Sequence, residues 1–208
     1  MKHSYHNTSD ETPNKLLIAA VELFGKHGFE AVSVSDLLGH ANISNRSAIN
    51  YYFGGKQELY ARAFEYACSV SEGDFPFPNE SESSHSSREK LYEFVHVMLQ
   101  RFLTPVKEEA AMLMARELAS PSKALDKWVS HLVEPIRKKL DDLLIQLMPG
   151  KTYEERHLVG FSIIGQCLFY RHDRAIIERL AGSKWLKTLT AKKLARHITD
   201  FSLAGMQP

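Results

Sequence analysis

Apolar residues recur every three or four positions along most of the chain, which is the spacing of an amphipathic helix. No stretch has the alternation of β-branched residues expected of a strand. The sequence therefore predicts an all-α protein. The predicted helices lie at about 13–27, from Ser33 through Ala41, and at about 45–52, 56–70, 91–102, 107–119, 121–148, 154–172 and 190–203.

The first two helices have recognisable end signals. Thr12 can cap the first helix, and Pro13 suits its first position because the missing N–H has no partner there. Gly28 suits the left-handed conformation that often closes a helix. Ser33 and Asp36 have the spacing of a capping box, with Asp36 in place of the usual Glu or Gln.

The second and third helices are short and are joined by about three residues, which predicts a helix-turn-helix. On the third helix, Ile49 and Phe53 form the side to be buried, and polar residues lie opposite. Arg and Asn side chains there could bind guanine and adenine edges in the major groove, and hydroxyl and ammonium groups could bind phosphates. The candidate DNA contacts of this face are Arg46, Ser47, Asn50 and Tyr51, with Lys56 at the start of the next helix.

Two later segments have unusual patterns. Within 121–148, Pro135 removes a backbone hydrogen bond and is expected to kink the helix near His131. The segment 154–172 is apolar on every side, so it needs cover from its own core and from a second subunit. The predicted dimer interface consists of Leu158, Phe161, Ile164 and Leu168.

These patterns predict two parts. A loose arm, 1–12, precedes a helix-turn-helix domain at 13–60, and a larger helical domain follows at 61–208. The segment 71–88 is rich in serine and acidic residues and is predicted to be a flexible acidic loop. The helix that begins at Lys56 is expected to bridge the two parts.

Composition limits the class of protein. The chain has 26 Lys and Arg against 25 Asp and Glu, for a net charge of +1, so any binding to nucleic acid must be local. No apolar stretch approaches the roughly 20 residues that cross a bilayer. Cys68 and Cys167 form no metal-ligand pattern and are expected to be reduced thiols in a cytoplasmic protein without a membrane partner.

Sites for small molecules are less well defined. Aromatic, apolar and polar residues of the C-terminal helices could line a ligand cavity. The candidates are Phe102, Met112, Arg116, Trp128, His131, Phe161, Gln166 and Tyr170. No order of Ser, His, Asp or Cys indicates catalysis, and the sequence predicts no cofactor and no enzyme activity.

Two alternatives to a DNA-binding protein remain. Glu93 and His96, and likewise Glu154 and His157, have the Glu-x-x-His spacing of di-iron bundle proteins. The first pair is predicted to face water, away from the apolar stripe of 91–102, whereas metal ligands of that kind point inward. The other alternative is a helical protein-interaction module that does not bind DNA.

Three separated motifs resemble the N-terminal domain of TetR-family transcriptional regulators. They are Ile18-Ala-Ala-Val-Glu-Leu-Phe-Gly-Lys-His-Gly-Phe29, Ser33-Val-Ser-Asp-Leu-Leu38 and Ala48-Ile-Asn-Tyr-Tyr-Phe-Gly-Gly-Lys56. The runs Ala115-Arg-Glu-Leu-Ala-Ser-Pro121 and Ile164-Gly-Gln-Cys-Leu-Phe-Tyr170 also resemble the C-terminal domain of one subgroup. The resemblance implies that 13–60 binds DNA and that 61–208 is a helical ligand-binding and dimerisation domain. It also implies a homodimer that binds a palindromic operator, usually as a repressor released by a small-molecule effector.

Carried over by position, the resemblance implies that Arg46, Ser47 and Asn50 face bases. It implies that Tyr51, Tyr52 and Lys56 bind phosphates or support the helix. It also implies that Ser33 or Ser35 binds a phosphate at the start of the second helix. This sequence has one residue more between Ala41 and Phe53 than the commonest family pattern, so either the turn is longer or the third helix starts earlier. Asn50 also stands where the family more often has tyrosine, which implies a different base preference.

Overall fold

A computed structural model describes residues 11–72, 75–78 and 85–206, and every regular element in those ranges is helical, as the sequence predicts. The helices are α1 Glu11–His27, α2 Val34–His40, α3 Ala48–Phe53, α4 Lys56–Glu72, α5 Ser87–Leu103, α6 Glu108–Ala119, α7 Lys123–Trp128, α8 Glu134–Leu147, α9 Tyr153–His172, α10 Arg174–Ala181, α11 Ser183–Leu186 and α12 Ala191–Gly205.

The N-terminal helix α1 begins two residues earlier than predicted. Glu11 forms an ion pair of 2.6 Å with Lys15 one turn later, and a carboxylate in the first turn is favoured by the helix dipole. The predicted loose arm 1–12 therefore ends too late, because residues 11 and 12 are helical. Residues 1–10 lie outside the described residues. Gly28 has a φ of 82° and closes α1 as predicted.

The turn between α2 and α3 is longer than predicted. The third helix starts at Ala48 rather than near 45, so the connection spans 41–47 instead of about three residues. The Asn45 side-chain oxygen accepts hydrogen bonds from the N–H of Ser47, at 3.0 Å, and from its hydroxyl, at 2.8 Å. This local bonding competes with helical bonding and keeps the residues before Ala48 in a turn.

The described chain forms two compact units whose boundaries differ from the predicted division at residue 60. The first unit contains the chain up to Val70 together with Val106–Ser130, and the second contains Ser71–Pro105 and His131–Pro208. The helices α6 and α7 therefore belong to the first unit, because Leu113 and its apolar neighbours share a core with α1 and α4. The bridging helix α4 lies in the first unit as far as Val70.

The first unit has a core drawn from six helices. Its buried members include Leu16 and Phe24 of α1, Leu37 of α2, Ile49 of α3 and Phe64 of α4, together with Ala110 and Leu113 of α6 and Ala124 of α7. Burial of these side chains is the main favourable term that holds the short helices α2 and α3, which have too few residues to be stable alone.

The second unit has a separate core. It consists of Leu91, Phe94, Val95, Met98 and Leu99 of α5, Leu140 and Leu144 of α8 with Met148 at its C-terminal end, Ile163 and Cys167 of α9, and Leu194, Ala195 and Ile198 of α12. Burial without a charged partner raises the pKa of the Cys167 thiol to about 12. The thiol is therefore protonated at neutral pH.

The predicted flexible loop 71–88 is shorter than expected. The helix α4 extends to Glu72, and Ser86 and Glu89 form a capping box at the start of α5. Residues 75–78 are not helical, but the Phe77 ring stacks on Phe94 with centroids 5.2 Å apart. Aromatic contacts fix this part of the segment, and the rest of the predicted loop lies outside the described residues.

The segment predicted as one kinked helix over 121–148 is three elements. Between α7 and α8 lies a π-helical turn, Val129–Val133, which contains His131, where the interruption is predicted. Pro135 lies in the first turn of α8, where its missing N–H needs no acceptor. Two short helices, α10 and α11, were not predicted, because segments of 8 and 4 residues are shorter than the window over which helical periodicity is recognised.

Candidate DNA-binding surface

The exposed side of α3 is the centre of the candidate surface. Ala48 and Ile49 are buried in the core of the first unit, whereas Asn50 is exposed and the Tyr51 side chain is 80% exposed. Gly54 and Gly55 end the helix with φ values of 79° and 130°, which side chains rarely adopt. The helix thus presents a short polar edge that could enter a major groove.

Residues just before α3 are exposed but lie in the turn. Arg46 is exposed, and its guanidinium group is available for a base or a phosphate. Ser47 is also exposed, but its hydroxyl donates to Asn45. The predicted contact by Ser47 would therefore use a hydroxyl that already supports the turn.

The start of α2 is tightly capped. The Ser33 N–H and hydroxyl donate to the Asp36 carboxylate at 2.8 and 2.6 Å, and the Asp36 N–H donates to the Ser33 oxygen at 3.1 Å. The predicted capping box is confirmed. These bonds, the hydroxyl first, hold the pKa of Asp36 below its ordinary value, so a negative charge lies beside the predicted phosphate contacts Ser33 and Ser35.

Lys56 lies where the next helix begins. Its ammonium nitrogen is 4.1 Å from the centroid of the Phe29 ring, which restricts the position of the side chain. Glu58, in the same turn, forms an ion pair of 2.8 Å with Lys127 of α7. That pair lowers the pKa of Glu58 and offsets its charge near Lys56. The Tyr51 and Tyr52 rings meet edge to face at 4.8 Å on the adjoining turn.

The helices α6 and α7 supply supporting contacts that the sequence did not predict. Arg116 donates to the carbonyl oxygens of Gly25, at 2.9 Å, and Lys26, at 3.1 Å, at the C-terminal end of α1. Glu117 is buried and accepts a hydrogen bond from Tyr60 of α4. No sequence signal relates these partners, because they are 91, 90 and 57 positions apart.

The predicted ligand-binding residues are divided between the two units. Met112, Arg116 and Trp128 lie in the first unit, and Phe102, His131, Phe161, Gln166 and Tyr170 lie in the second. The Arg116 guanidinium group binds α1, the Trp128 ring packs on Phe64 at 5.8 Å, and Phe161 is 64% exposed. Their shared role in ligand binding stays a prediction.

The predicted dimer residues differ in exposure. Leu158 is 62% exposed and, with Phe161, forms an outward apolar side of α9 that also includes Phe169. Ile164 and Leu168 are half-buried, and Ile164 packs against the core of the second unit. The helix thus buries one side in its own unit and leaves the opposite side uncovered.

The Glu-x-x-His pairs have other partners. Glu93 accepts from His85 at 2.7 Å, and the His157 ring nitrogen lies 3.3 Å from Arg137. Within the described ranges, no group of three or more His, Cys, Asp or Glu side chains is placed to hold a metal ion. In the same part of the chain, no helix is both long and apolar enough to cross a membrane.

Comparisons with known proteins agree with this architecture. A family model described as bacterial regulatory proteins, tetR family, matches residues 16–63. A second model, described as the C-terminal domain of the HTH-type transcriptional dual regulator CecR, matches residues 87–206, which is more than half of the chain. The chain belongs to the TetR family of DNA-binding transcriptional regulators, with a C-terminal domain of the CecR type.

Individual relatives are distant. The chain is 27% identical over 145 residues to IcaR of Staphylococcus epidermidis, a negative transcriptional regulator of the biofilm operon icaADBC, covering 70% of this chain and 71% of IcaR. It is 22% identical over 178 residues to CecR of Shigella flexneri, covering 81% and 79%. A transcriptional regulator from Pseudomonas aeruginosa PAO1 has the same fold, with a TM-score of 0.65 at 17% identity, over 93% of this chain and 88% of that one.

Proposed function

We propose that this chain is a ligand-responsive repressor that binds a palindromic operator as a homodimer and has no enzyme activity. The observation that carries the proposal is the exposed edge of α3, with Asn50 and Tyr51 outward, beside the Lys56 ammonium group. The name of IcaR, a negative regulator, favours repression, whereas CecR is described as a dual regulator. Such a repressor acts in the cytoplasm.

The proposed DNA contacts form two groups, one that reads bases and one that binds phosphates. Asn50 can form two hydrogen bonds with adenine, and Arg46 can do so with guanine, so these two residues would read sequence. Lys56, with Tyr51 and Tyr52, would bind phosphates and fix the register of α3 on the duplex. Ser35 is the better placed hydroxyl at the start of α2, because the Ser33 hydroxyl already donates to Asp36.

Both the low net charge of the DNA-binding domain and the exposed apolar residues of α9 support a dimer. Residues 13–62 contain five cationic side chains against four acidic ones, which is a weak footprint for a single DNA-binding domain. Two linked copies double the phosphate contacts and set two recognition helices about 34–36 Å apart. The exposed Leu158 and Phe161 on α9 support pairing of the second units.

The effector acts by linkage. A small molecule that binds one conformation of the dimer better than another shifts the population, and DNA binding must change in proportion. We propose that the shift changes the tilt of α4 and with it the separation of the two α3 helices. The effector would bind in the helical C-terminal part of the chain.

Selection of bound sequences from random duplex DNA tests this function. We expect one palindrome to be enriched, and Asn50→Ala to lower its discrimination at one base pair by about 1–3 kcal/mol. Lys56→Ala should weaken binding to all sequences alike, whereas Lys123→Ala, which removes an exposed cation of α7, should not. Failure to enrich any sequence, with a stable dimer present, would favour a protein-interaction module instead.

A further inference from the structure

A buried carboxylate joins α6 to the helix that carries Lys56. Glu117 is only 1% exposed, and it accepts hydrogen bonds on both oxygens. One oxygen binds the Tyr60 hydroxyl at 2.6 Å. The other binds the N–H of Ser122 at 2.8 Å, the hydroxyl of Ser122 at 2.7 Å and the N–H of Leu125 at 3.2 Å. A buried charge requires such partners, and together they fix its position.

The same carboxylate fixes the position of the Tyr60 side chain. That ring packs edge to face against Phe24 and Phe29, with centroids 5.2 Å away in each case. Burial and the hydrogen bond to Glu117 both raise the pKa of Tyr60, so the phenol remains a hydrogen-bond donor. Because the hydroxyl has one strong acceptor, a change in the χ1 angle of Tyr60 or a translation of its ring would break that bond.

Phe29 completes the connection. Its ring contacts Tyr60 on one side, and the Lys56 ammonium nitrogen lies 4.1 Å from its centroid. Phe29 lies in the turn after α1, while Lys56 and Tyr60 are one helical turn apart on α4. A continuous set of contacts therefore runs from Glu117 through Tyr60 and Phe29 to Lys56, entirely within the first unit.

We propose that Glu117 is a positioning residue for DNA binding, which fixes the Lys56 ammonium group through Tyr60 and Phe29. The inference rests on the proposed function, in which Lys56 binds a phosphate. It adds that α6, whose Glu117 is 57 positions after Tyr60 in the sequence, determines how well that contact forms. A displaced α6 would weaken operator binding without any change in the residues that face the bases.

The experiment measures operator affinity as a function of salt concentration. The probe is the duplex enriched from random DNA, and the proteins are the full chain and its Tyr60→Phe, Glu117→Gln and Lys56→Ala variants. Each phosphate contact contributes about 0.9 to the slope of log affinity against log salt, so Lys56→Ala should lower the slope of a dimer by about 1.8. We expect Tyr60→Phe and Glu117→Gln to lower it by a part of that amount and to weaken binding about three- to tenfold.

A double variant separates positioning from general stability. In the Lys56→Ala background, Tyr60→Phe should weaken binding less than about twofold, because the contact that it positions is already lost. The matched control is Phe64→Leu, which trims a buried ring of α4 that contacts Trp128 rather than Phe29. It should lower stability and leave the salt slope unchanged.

The outcomes distinguish the two proposals. If the wild-type chain enriches no duplex, the proposed function fails and this inference fails with it. If the wild type binds, but the double variant loses operator affinity by the full product of the losses in Tyr60→Phe and Lys56→Ala, only the inference is overturned. The same holds if Phe64→Leu changes the slope as much as Tyr60→Phe does. If Tyr60→Phe does not fold, Glu117→Gln in both backgrounds gives the same comparison.

Discussion

Gly25 of α1 lies directly against the backbone carbonyl of Glu109 in α6, so that a Cβ added to Gly25 would overlap the Glu109 oxygen. Backbone, rather than a flexible side chain, occupies the space, and neither helix can yield without losing other contacts. The approach brings α6 close enough for Arg116 to reach the end of α1. It explains why a segment from the middle of the chain belongs to the first unit.

Gly25→Ala should therefore separate α1 from α6. Overpacking of this kind typically lowers the free energy of unfolding by about 1–3 kcal/mol. Because the added Cβ would overlap backbone, we expect Gly25→Ala to lose about 3 kcal/mol or more. Gly39→Ala is the matched control, since nothing lies within 4 Å of its added Cβ and the residue lies inside α2. Alanine there should be neutral or stabilise by about 0.5–1 kcal/mol. Urea unfolding of both variants measures the difference, and equal midpoints would contradict the close approach.

Arg116 should stabilise the first unit by holding the C-terminal end of α1. Because the side chain is exposed, we expect Arg116→Ala to lower the free energy of unfolding by only about 1 kcal/mol. The control is Arg62→Ala, because exposed Arg62 forms a surface ion pair with Glu65 one turn away, an interaction worth about 0–1 kcal/mol. A loss of stability in Arg62→Ala equal to that in Arg116→Ala would argue against a helix clamp.

The uncovered apolar side of α9 should hold two copies together. Phe161→Glu places a charge at the predicted interface, so the dimer should dissociate at micromolar concentration. Leu118→Glu, at a residue that is 52% exposed on α6, makes the same chemical change outside that surface. Light scattering coupled to size exclusion gives the molar mass of each. A dimeric Phe161→Glu, or a monomeric wild type, would place the interface elsewhere.

Glu155 should make stability depend on pH in the acid range. The Thr152 N–H, and then Lys151 and the Thr152 hydroxyl, lower its pKa from 4.5 to about 2. The ionised group thus favours the folded state above pH 4.5, and that contribution disappears as pH falls towards about 2. Glu155→Gln should be less stable at neutral pH, with a difference that narrows over this range.

The matched charge control for that experiment is Glu154→Gln, which removes an acidic side chain from the same turn without changing the Thr152 capping box. Unfolding free energies are compared across the acid range for the wild type and both variants. A gap between the wild type and Glu155→Gln that stays constant with pH would show that the carboxylate charge is not the stabilising feature.

Local signals in the sequence predicted the parts of the fold that depend on neighbouring residues. The Ser33–Asp36 capping box, the closing Gly28 and the interruption near His131 all depend on bonding within one turn. The same kind of pattern placed Ile49 inside and Tyr51 outside on α3. These features need no knowledge of the remaining chain.

Contacts between distant segments could not be predicted in the same way. Arg116 was assigned to a ligand site because its helix carries apolar and polar residues in suitable proportions, and nothing nearby in sequence points to the carbonyl of Gly25. The turn before α3 was underestimated because Asn45 can bind the backbone two residues later, which periodicity does not detect. Roles in DNA and ligand binding are properties of complexes and stay predictions.

The divided first unit has a consequence for hybrid regulators. A graft that transfers only the N-terminal helices onto the effector part of another family member would leave α6 and α7 behind. The transferred α1 would then meet a foreign helix, with no assurance of an arginine to cap it or of a carboxylate for Tyr60. A hybrid designed to exchange operator specificity between relatives should therefore receive Val106–Ser130 together with the recognition helix.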